Sequence, residues 1–541
     1  MLCGLFPEDF DIPIESLLHH ANGLGLFKDI NVSWKARNRV HTLVDDLKRK
    51  FLFLDNNVPG CVKLHDIVRN VVISVAFKNA QDKYLVQYNI KSLKEEKLND
   101  INAISLILDD TNELENGLEC LTLQLLQVRS KSKEPIFWPE IFFQGMSVLK
   151  VFSMQNLCIP KIPSLSQASV NLHTLQLEHC DIGDISVIGK EVIHLEVLSF
   201  AHSNVKELPI EMGNLKVLRL LDLTNCNELN VISDNVLIRL SHLEELYFMM
   251  DNFPWKKNEV AINELKKISH QLKVVEMKFW QNELLVKDLD FNNLHKFWVY
   301  MHPYTNFQRS AYLESNILQI STMDYESIKS ILMISQLIKK CEILAIRKKL
   351  SVATEITDSA NEVNGEKLSN AKLFSSNWMK QFPKLETILL EFCSSLEVVF
   401  DLEGYLKSSG QAQDLLFPQL TKIEISYLKN LSYVWSIAPH CVKGFQNLRF
   451  LTISNCDSLE YVFTSAIVSA ITNLEKLEVR SCALIKNIVV WNKDEIISFN
   501  KLYDLSLSRL PKLVNICSDS LWLECPSLMK FEIYDCPVLE I

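Results

Sequence analysis

His65 and Asp66 stand side by side in "GCVKLHDIVR" (60–69), and four kinds of chemistry use such a pair. It can ligate a metal, relay a proton, contact a phosphate or cap a helix. A metal-dependent phosphohydrolase would need further ligands at helical spacing. His41 and Asp82, the nearby candidates, complete no such motif. Nucleophilic catalysis finds no G-x-S-x-G elbow and no Cys/His arrangement in the chain. A histidine at a helix N-terminus can reach a phosphate oxygen beside the free backbone donors. Against that, GxxxxGKS and GxxxxGKT are absent, and "GLGLFK" (23–28) lacks the third glycine of a dinucleotide loop. Capping asks least of the surroundings: Asp66 would accept hydrogen bonds from first-turn N–H groups and suit the helix dipole. The expectation from these residues is a helix cap, with no catalytic set and no metal site.

The elements that would hold the pair are legible around it. "IPIESLLHHANGLGLF" predicts a helix ended at Gly23 or Gly25. In "SWKARNRVHTLVDDLKRK", Ala36, Val40, Leu43, Val44 and Leu47 recur at helical spacing, with Ser33 as N-cap. "FLFLD", the turn "NNVPG" and "CVKL" predict a β-hairpin, and "HDIVRNVVISVAF" predicts a further helix. Helix, helix, hairpin, helix is the order of a small winged-helix domain, placed at residues 1–80.

Beyond it the pattern L-x-x-L-x-L-x-x-C/N recurs. It starts at Leu172, Leu195, Leu218 and Leu243, then again at Leu385, Leu420, Leu448, Leu474, Leu502 and Leu528. That period and register define leucine-rich repeats. In "LxL" the leucines share one face of a short strand and the intervening residue takes the other. One repeat cannot bury its apolar face alone, so the strands must stack into a parallel ladder. The fold class expected is α/β: a leucine-rich-repeat solenoid (horseshoe) behind the winged-helix domain. Residues 81–117 are assigned to a charged connector and first weak repeat. A first repeat block covers 118–350, with an irregular segment at 300–340. A polar insertion follows at 351–380, and a second block at 381–541 ends without a polar cap. Phe382, Phe417, Phe445 and Phe499, each three residues ahead of a repeat, are expected in the core. So are the cysteines Cys180, Cys226, Cys393, Cys456, Cys482 and Cys536.

Bulk properties narrow the class. With 48% apolar and 23% charged residues the chain is globular rather than disordered. A net charge of −10 gives no pull toward nucleic acid or anionic lipid. Fourteen cysteines without CxxC pairs argue for reduced thiols and against zinc. No secretory leader and no apolar run of membrane-spanning length is found, which points to the cytoplasm or the nucleus.

"LCGLFPEDFDIPIESLLHHANGLGLF", "RNRVHTLVDDLKRKFLFLD" and "GCVKLHDIVRNVVISVA" together closely resemble the coiled-coil class of plant nucleotide-binding leucine-rich-repeat disease-resistance proteins. The resemblance covers the winged-helix end of their NB-ARC module over nearly all of residues 1–77, and the Cys-containing repeats extend it over the whole chain. In that family Met-His-Asp occupies the position of Leu64-His65-Asp66, and its His contacts the β-phosphate of ADP in the inactive state. The resemblance therefore implies that His65 and Asp66 sense ADP when a nucleotide domain is supplied. Leu64 departs from the family's Met by an apolar swap. The family's coiled coil, Walker A loop and Walker B aspartates have no counterpart in this sequence. The chain is thus expected to be a receptor truncated before its P-loop, with no ADP or ATP of its own.

The function so implied is recognition in plant defence. Protein partners, whether an effector, a guarded host protein or an NB-ARC surface in trans, would bind the concave repeat strands. Glu391, Phe392, Tyr427, Asn455, Arg480, Arg509, Tyr534 and Asp535 carry the useful chemistry there. A ubiquitin-ligase substrate adaptor is the first alternative, although no F-box-like segment precedes the repeats. A winged-helix nucleic-acid binder is the second. Residues 1–80 hold ten Lys/Arg and nine Asp/Glu, which gives no basic stripe and speaks against it.

Overall fold

The computed structural model describes residues 2–27, 33–54, 56, 58, 60–78, 83–87, 100–108, 120–131, 134–135, 142–250, 253–279, 289–301, 315–321, 335–347, 372–402, 415–436, 442–490, 497–517 and 523–540. The chain divides into two compact units. The first is mainly Met1–Trp280 with Asp288–Phe297, and the second mainly Ser315–Ile541 with Trp298–Asn306.

The first unit opens with the head. Helices α1 (Ile14–Gly23), α2 (Ser33–Arg49) and α3 (Asp66–Lys78) surround three short strands, β1 (Ile12–Pro13), β2 (Phe53–Leu54) and β3 (Cys61–Leu64). Both β1 and β2 pair antiparallel with β3, through Ile12 opposite Val62 and Phe53 opposite Leu64. The chain turns into β3 at Gly60, whose φ of 72° suits glycine. Ala36, Val40 and Val44 on one stripe of α2 pack with Phe6, Leu17, Leu18, Val62 and Leu64. Leu43, expected in that stripe, lies at its edge and is largely exposed.

Behind the head runs a parallel ladder. Its strands are Lys83–Gln87, Ile101–Leu108, Leu125–Ser130, Val151–Gln155, Thr174–Glu178, Val197–Ser199, Leu220–Asp222, Glu245–Phe248 and Val274–Phe279. The register is strict: Leu175, Leu198, Leu221, Leu246 and Val275 form one column toward the repeat core. Gln176, Ser199, Asp222, Tyr247 and Glu276 form the adjacent column on the opposite face.

The second unit has a parallel ladder of its own, from Trp298 through Ile317–Ser321, Ile343–Arg347, Thr387–Glu391, Lys422–Ser426, Phe450–Ser454, Lys476–Arg480, Asp504–Ser508 and Lys530–Tyr534. A second parallel sheet of six strands runs from Lys372–Ser375 to Asn515–Cys517. Phe382, Phe417, Phe445 and Phe499 are buried, as their spacing predicts. Phe417 joins Phe374, Phe400 and Phe445 in edge and tilted ring contacts of 5.4–5.8 Å. Buried Cys226 donates its thiol to the Phe200 carbonyl at 3.0 Å. Burial pushes the Cys180, Cys226 and Cys341 thiols up to about 12, so they pack rather than react.

Three sequence expectations need correction. The charged connector at 81–117 contains two ladder strands, Lys83–Gln87 and Ile101–Leu108. Ile101–Leu108 is buried on both faces, so the alternation that marks a half-buried strand is missing from its sequence. The irregular segment 300–340 likewise contains Ile317–Ser321, in full register with Ile343–Arg347. Asn316 stands just ahead of that strand. It is buried and bonded to the Lys340 carbonyl at 3.1 Å, and no leucine announces the repeat. Finally, the polar insertion 351–380 ends in the strand Lys372–Ser375 and a short helix Ser376–Met379, with Leu373 and Phe374 in the core. Its polar stretch 354–371 lies outside the described residues.

Candidate interaction surfaces

His65 and Asp66 occupy the start of α3 as expected, with the roles exchanged. The backbone N–H of Ile67 donates to His65 Nδ1 at 3.2 Å, and the N–H of Arg69 donates to the His65 carbonyl at 2.9 Å. His65 is therefore the cap and Asp66 the first helical residue. The capping role assigned to Asp66 is corrected accordingly: the side chain one position upstream reaches the free N–H. Because Nδ1 accepts, a neutral ring carries its proton on Nε2, which leaves Nε2 as a donor. Both residues are exposed. Among the described residues, no group of three or more His, Cys, Asp or Glu is placed to hold a metal ion.

The chemistry that sequence reading missed lies between the head and the first ladder, inside one unit. Arg37 on α2 donates Nε and Nη2 to the two carboxylate oxygens of Glu15, each at 2.9 Å. Its other contacts are on the strand Glu245–Phe248: Glu245 at 2.7 and 3.1 Å and the Tyr247 hydroxyl at 2.7 Å. Tyr247 in turn donates to Glu245 at 2.9 Å. The Glu245 side chain is only 1% exposed and that of Arg37 11%. A guanidinium forked between two carboxylates is a strong charge-assisted arrangement. Burial alone would raise the Glu15 carboxyl, but Arg37, helped by His41 and His19, holds it well below its ordinary value.

Three further contacts extend this clamp. Leu5 packs on Ala103, Leu125 and Val151, and its carbonyl accepts from Ser105 Oγ at 2.6 Å. His19 sits over the Thr174–Glu178 strand, with its Nδ1 3.1 Å from Gln176 Nε2 and its carbonyl 3.3 Å from Thr174 Oγ1. The Arg129 guanidinium lies over the rings of Phe6 and Phe10, 4.9 and 4.0 Å from their centroids. Ser105, Gln127, Ser153, Gln176, Ser199 and Glu245, all on the face away from the repeat core, are buried as a result.

Two histidine and carboxylate shifts follow from this burial. His20 is almost fully buried and stacks on Phe6, and among the described residues neither ring nitrogen has a hydrogen-bond partner. Burial, with His19 and Arg129 nearby, lowers it to about 3, against a small opposing contribution from Gln176. Glu178 moves the other way: burial and the neighbouring Asp222 raise it to about 7, despite Arg129.

In the second unit the corresponding face is buried at Tyr300, Gln319 and Ala345 and opens from the strand Thr387–Glu391 onward. Glu391, Glu424 and Glu532 have side chains 40%, 44% and 56% exposed. Of the eight residues expected on strands, Glu391, Arg480 and Tyr534 are the last residues of theirs. Phe392, Tyr427, Asn455, Arg509 and Asp535 are corrected: each follows its strand by one position and adopts a left-handed conformation, φ 53–57°. The turn lets the N–H groups of Phe392, Tyr427, Asn455 and Arg509 reach across to the next repeat. Tyr427 donates to the Ser454 carbonyl at 3.0 Å and Arg509 to the Tyr534 carbonyl at 2.8 Å. These residues stack into a column at the strand ends. Phe392 and Tyr427 lie parallel at 4.6 Å, with the Arg347 guanidinium 5.2 Å over Phe392. Asn156, His179, His202 and Asn225 hold the same place in the first unit, and the two histidine rings stack at 4.4 Å.

Parallel strand ladders with their apolar positions in register at the repeat period are the architecture of a leucine-rich-repeat solenoid. Residues 347–483 match a family model described as plant disease resistance protein RPS2-like, leucine-rich repeats. The Arabidopsis thaliana disease resistance protein At4g27190 is 24% identical to 99% of this chain, over 53% of its own length. Probable disease resistance protein At4g27220 of the same plant is 23% identical to all of it, over 57% of its own length. The chain spans about half the length of these curated relatives. Among solved structures, the leucine-rich-repeat protein LIC12759 of Leptospira interrogans aligns with TM-score 0.40 and 16% identity, covering 80% of this chain and 86% of that one. The chain is thus a leucine-rich-repeat protein, similar over nearly its whole length to plant disease-resistance proteins.

Proposed function

We propose that this chain is the recognition part of an intracellular plant immune receptor, in which the second-unit repeat face binds a protein partner. The observation that carries this reading is the contrast between two stretches of outward face: in the first unit it is covered by the head, and on the second unit's strands from Thr387–Glu391 onward it is exposed and rich in charge. Glu391 and Arg480 at strand ends, with Phe392, Tyr427, Asn455, Arg509, Tyr534 and Asp535 around them, supply the aromatic and Arg anchors common at interfaces. The head is the winged-helix end of an NB-ARC module. Its His65 offers Nε2–H to a phosphate oxygen only when a nucleotide domain is present. In this reading the chain itself is no enzyme and holds neither ADP nor ATP, and it works in the cytoplasm or the nucleus.

Two experiments test this. Calorimetry of the purified chain with ADP and ATP should give no heat of binding, and micromolar affinity would overturn the account. In co-precipitation from plant tissue, the doubly reversed E424K/E478K chain should lose partners that the unaltered chain retains. Equal recovery with both chains would contradict recognition by this face.

A further inference from the structure

The column at the strand ends of the second unit poses a question that the repeat fold does not answer. A left-handed backbone suits Asn or Gly and strains a bulky side chain, so its occupants need a reason. Asn156, His179, His202 and Asn225 fill it in the first unit, where Asn in particular tolerates it. The second unit keeps Asn455, Ser481 and Asp535 there but also places the bulkier Phe392, Tyr427 and Arg509. None is needed for the core, which Phe382, Phe417 and Phe445 already fill. The strained residues are outward: Tyr427 is 46% exposed, and Arg509 is exposed too.

The charges at this edge are uneven. Arg347 is bonded to Glu391 at 3.2 Å, and Arg480 lies 3.3 Å from Glu478. Arg509 has no ion pair or side-chain hydrogen bond among the described residues, even with Asp535 following it in the column. Tyr427 follows the strand Lys422–Ser426 and Arg509 follows Asp504–Ser508, three ladder steps further on. At about 4.8 Å per step the two lie roughly 14 Å apart, the reach of about four residues of extended chain.

We propose that this column is a docking rail for an extended segment of a protein partner. That segment carries an aromatic or aliphatic side chain against Tyr427 and, four residues away, a carboxylate that pairs with Arg509. The rail rests on the reading of the second unit as the recognition face and adds the chemistry of what it recognises. Aromatic and Arg groups are the usual interface anchors, and an unpaired exposed guanidinium selects carboxylate over amine.

The test uses the full chain and fluorescein-labelled synthetic peptides with Phe and Glu separated by three Ser/Ala residues. Polarisation should detect binding that falls tenfold or more for Tyr427→Ala and for Arg509→Glu, while Tyr427→Phe retains it. Arg509→Glu should in turn bind the peptide in which Lys replaces Glu. A matched thermal midpoint for each variant keeps loss of folding apart from loss of contact. Absence of binding, or binding indifferent to both Tyr427→Ala and Arg509→Glu, overturns the rail. Peptide binding lost with Glu424→Lys but not with the column variants would also overturn it, and would leave recognition by the open strand face standing.

Discussion

Arg37 is the residue on which the head's attachment turns. Its removal leaves Glu15 and Glu245 facing each other in a desolvated space, so Arg37→Ala should cost about 3–5 kcal/mol of first-unit stability. Replacing both carboxylates as well, in R37A/E15Q/E245Q, should recover part of that loss, and a urea titration measures both. The pH response has a defined sign. His20 is depressed to about 3, so its contribution is whole above its ordinary value near 6.5 and is lost as pH falls toward 3. Glu15, also depressed, adds its loss below the ordinary carboxylate range. Glu178, raised to about 7, acts oppositely: its contribution is present in acid and lost as pH rises through 7. Thermal midpoints between pH 7 and pH 5 should therefore fall less steeply for His20→Phe, whose ring can keep the stacking on Phe6. An unchanged slope would mean that His20 is not buried by the clamp.

Among the elements, α1 shows how closely head and ladder meet. Gly23 ends it, and a Cβ there would stand 2.5 Å from Thr174 Oγ1 and Val151 Cγ2. Gly-to-Ala in a helix ordinarily gains about 1 kcal/mol. Here the clash reverses the sign, and Gly23→Ala should destabilise by about 1–3 kcal/mol in the same titration. The strand-end column offers the converse: Arg509→Asn suits a left-handed backbone better and should leave stability equal or raised by about 1 kcal/mol. Legibility follows the same physics. Repeats with leucines in register, such as "LEKLEVRSC" from Leu474, can be read because each inward position is apolar and each outward one polar. Ile101–Leu108 escapes because both its faces are covered. The outward placement of Glu391 and Arg480 follows from alternation. The turn that carries Phe392 and Tyr427 off the strand does not, since no glycine or asparagine marks it.

Across the whole molecule, the docking of the head on its own repeats was hidden for a reason. Its contacts are made by Arg37, Glu15, Glu245 and Gln176, which in a sequence are indistinguishable from a solvated face. One signal was available. Outward positions of the first ladder mix Thr174, Gln176, Val197, Ser199 and Leu220 with the acidic Asp222, Glu245 and Glu276, whereas those of the second pair Lys422 with Glu424, Lys476 with Glu478 and Lys530 with Glu532. Small and apolar outward residues mark a covered face, and paired charges an open one. The winged-helix assignment of the head and the nucleotide role of His65 rest on the family resemblance and on the proposal built from it. Carboxyl footprinting of the intact chain with a water-soluble carbodiimide, read by mass spectrometry, tests the covered and open faces most directly. Glu391, Glu424 and Glu532 should label rapidly and Glu245 should resist, until Arg37→Ala exposes Glu245 without changing Glu424. Equal labelling of Glu245 and Glu424 in the unaltered chain would contradict the account.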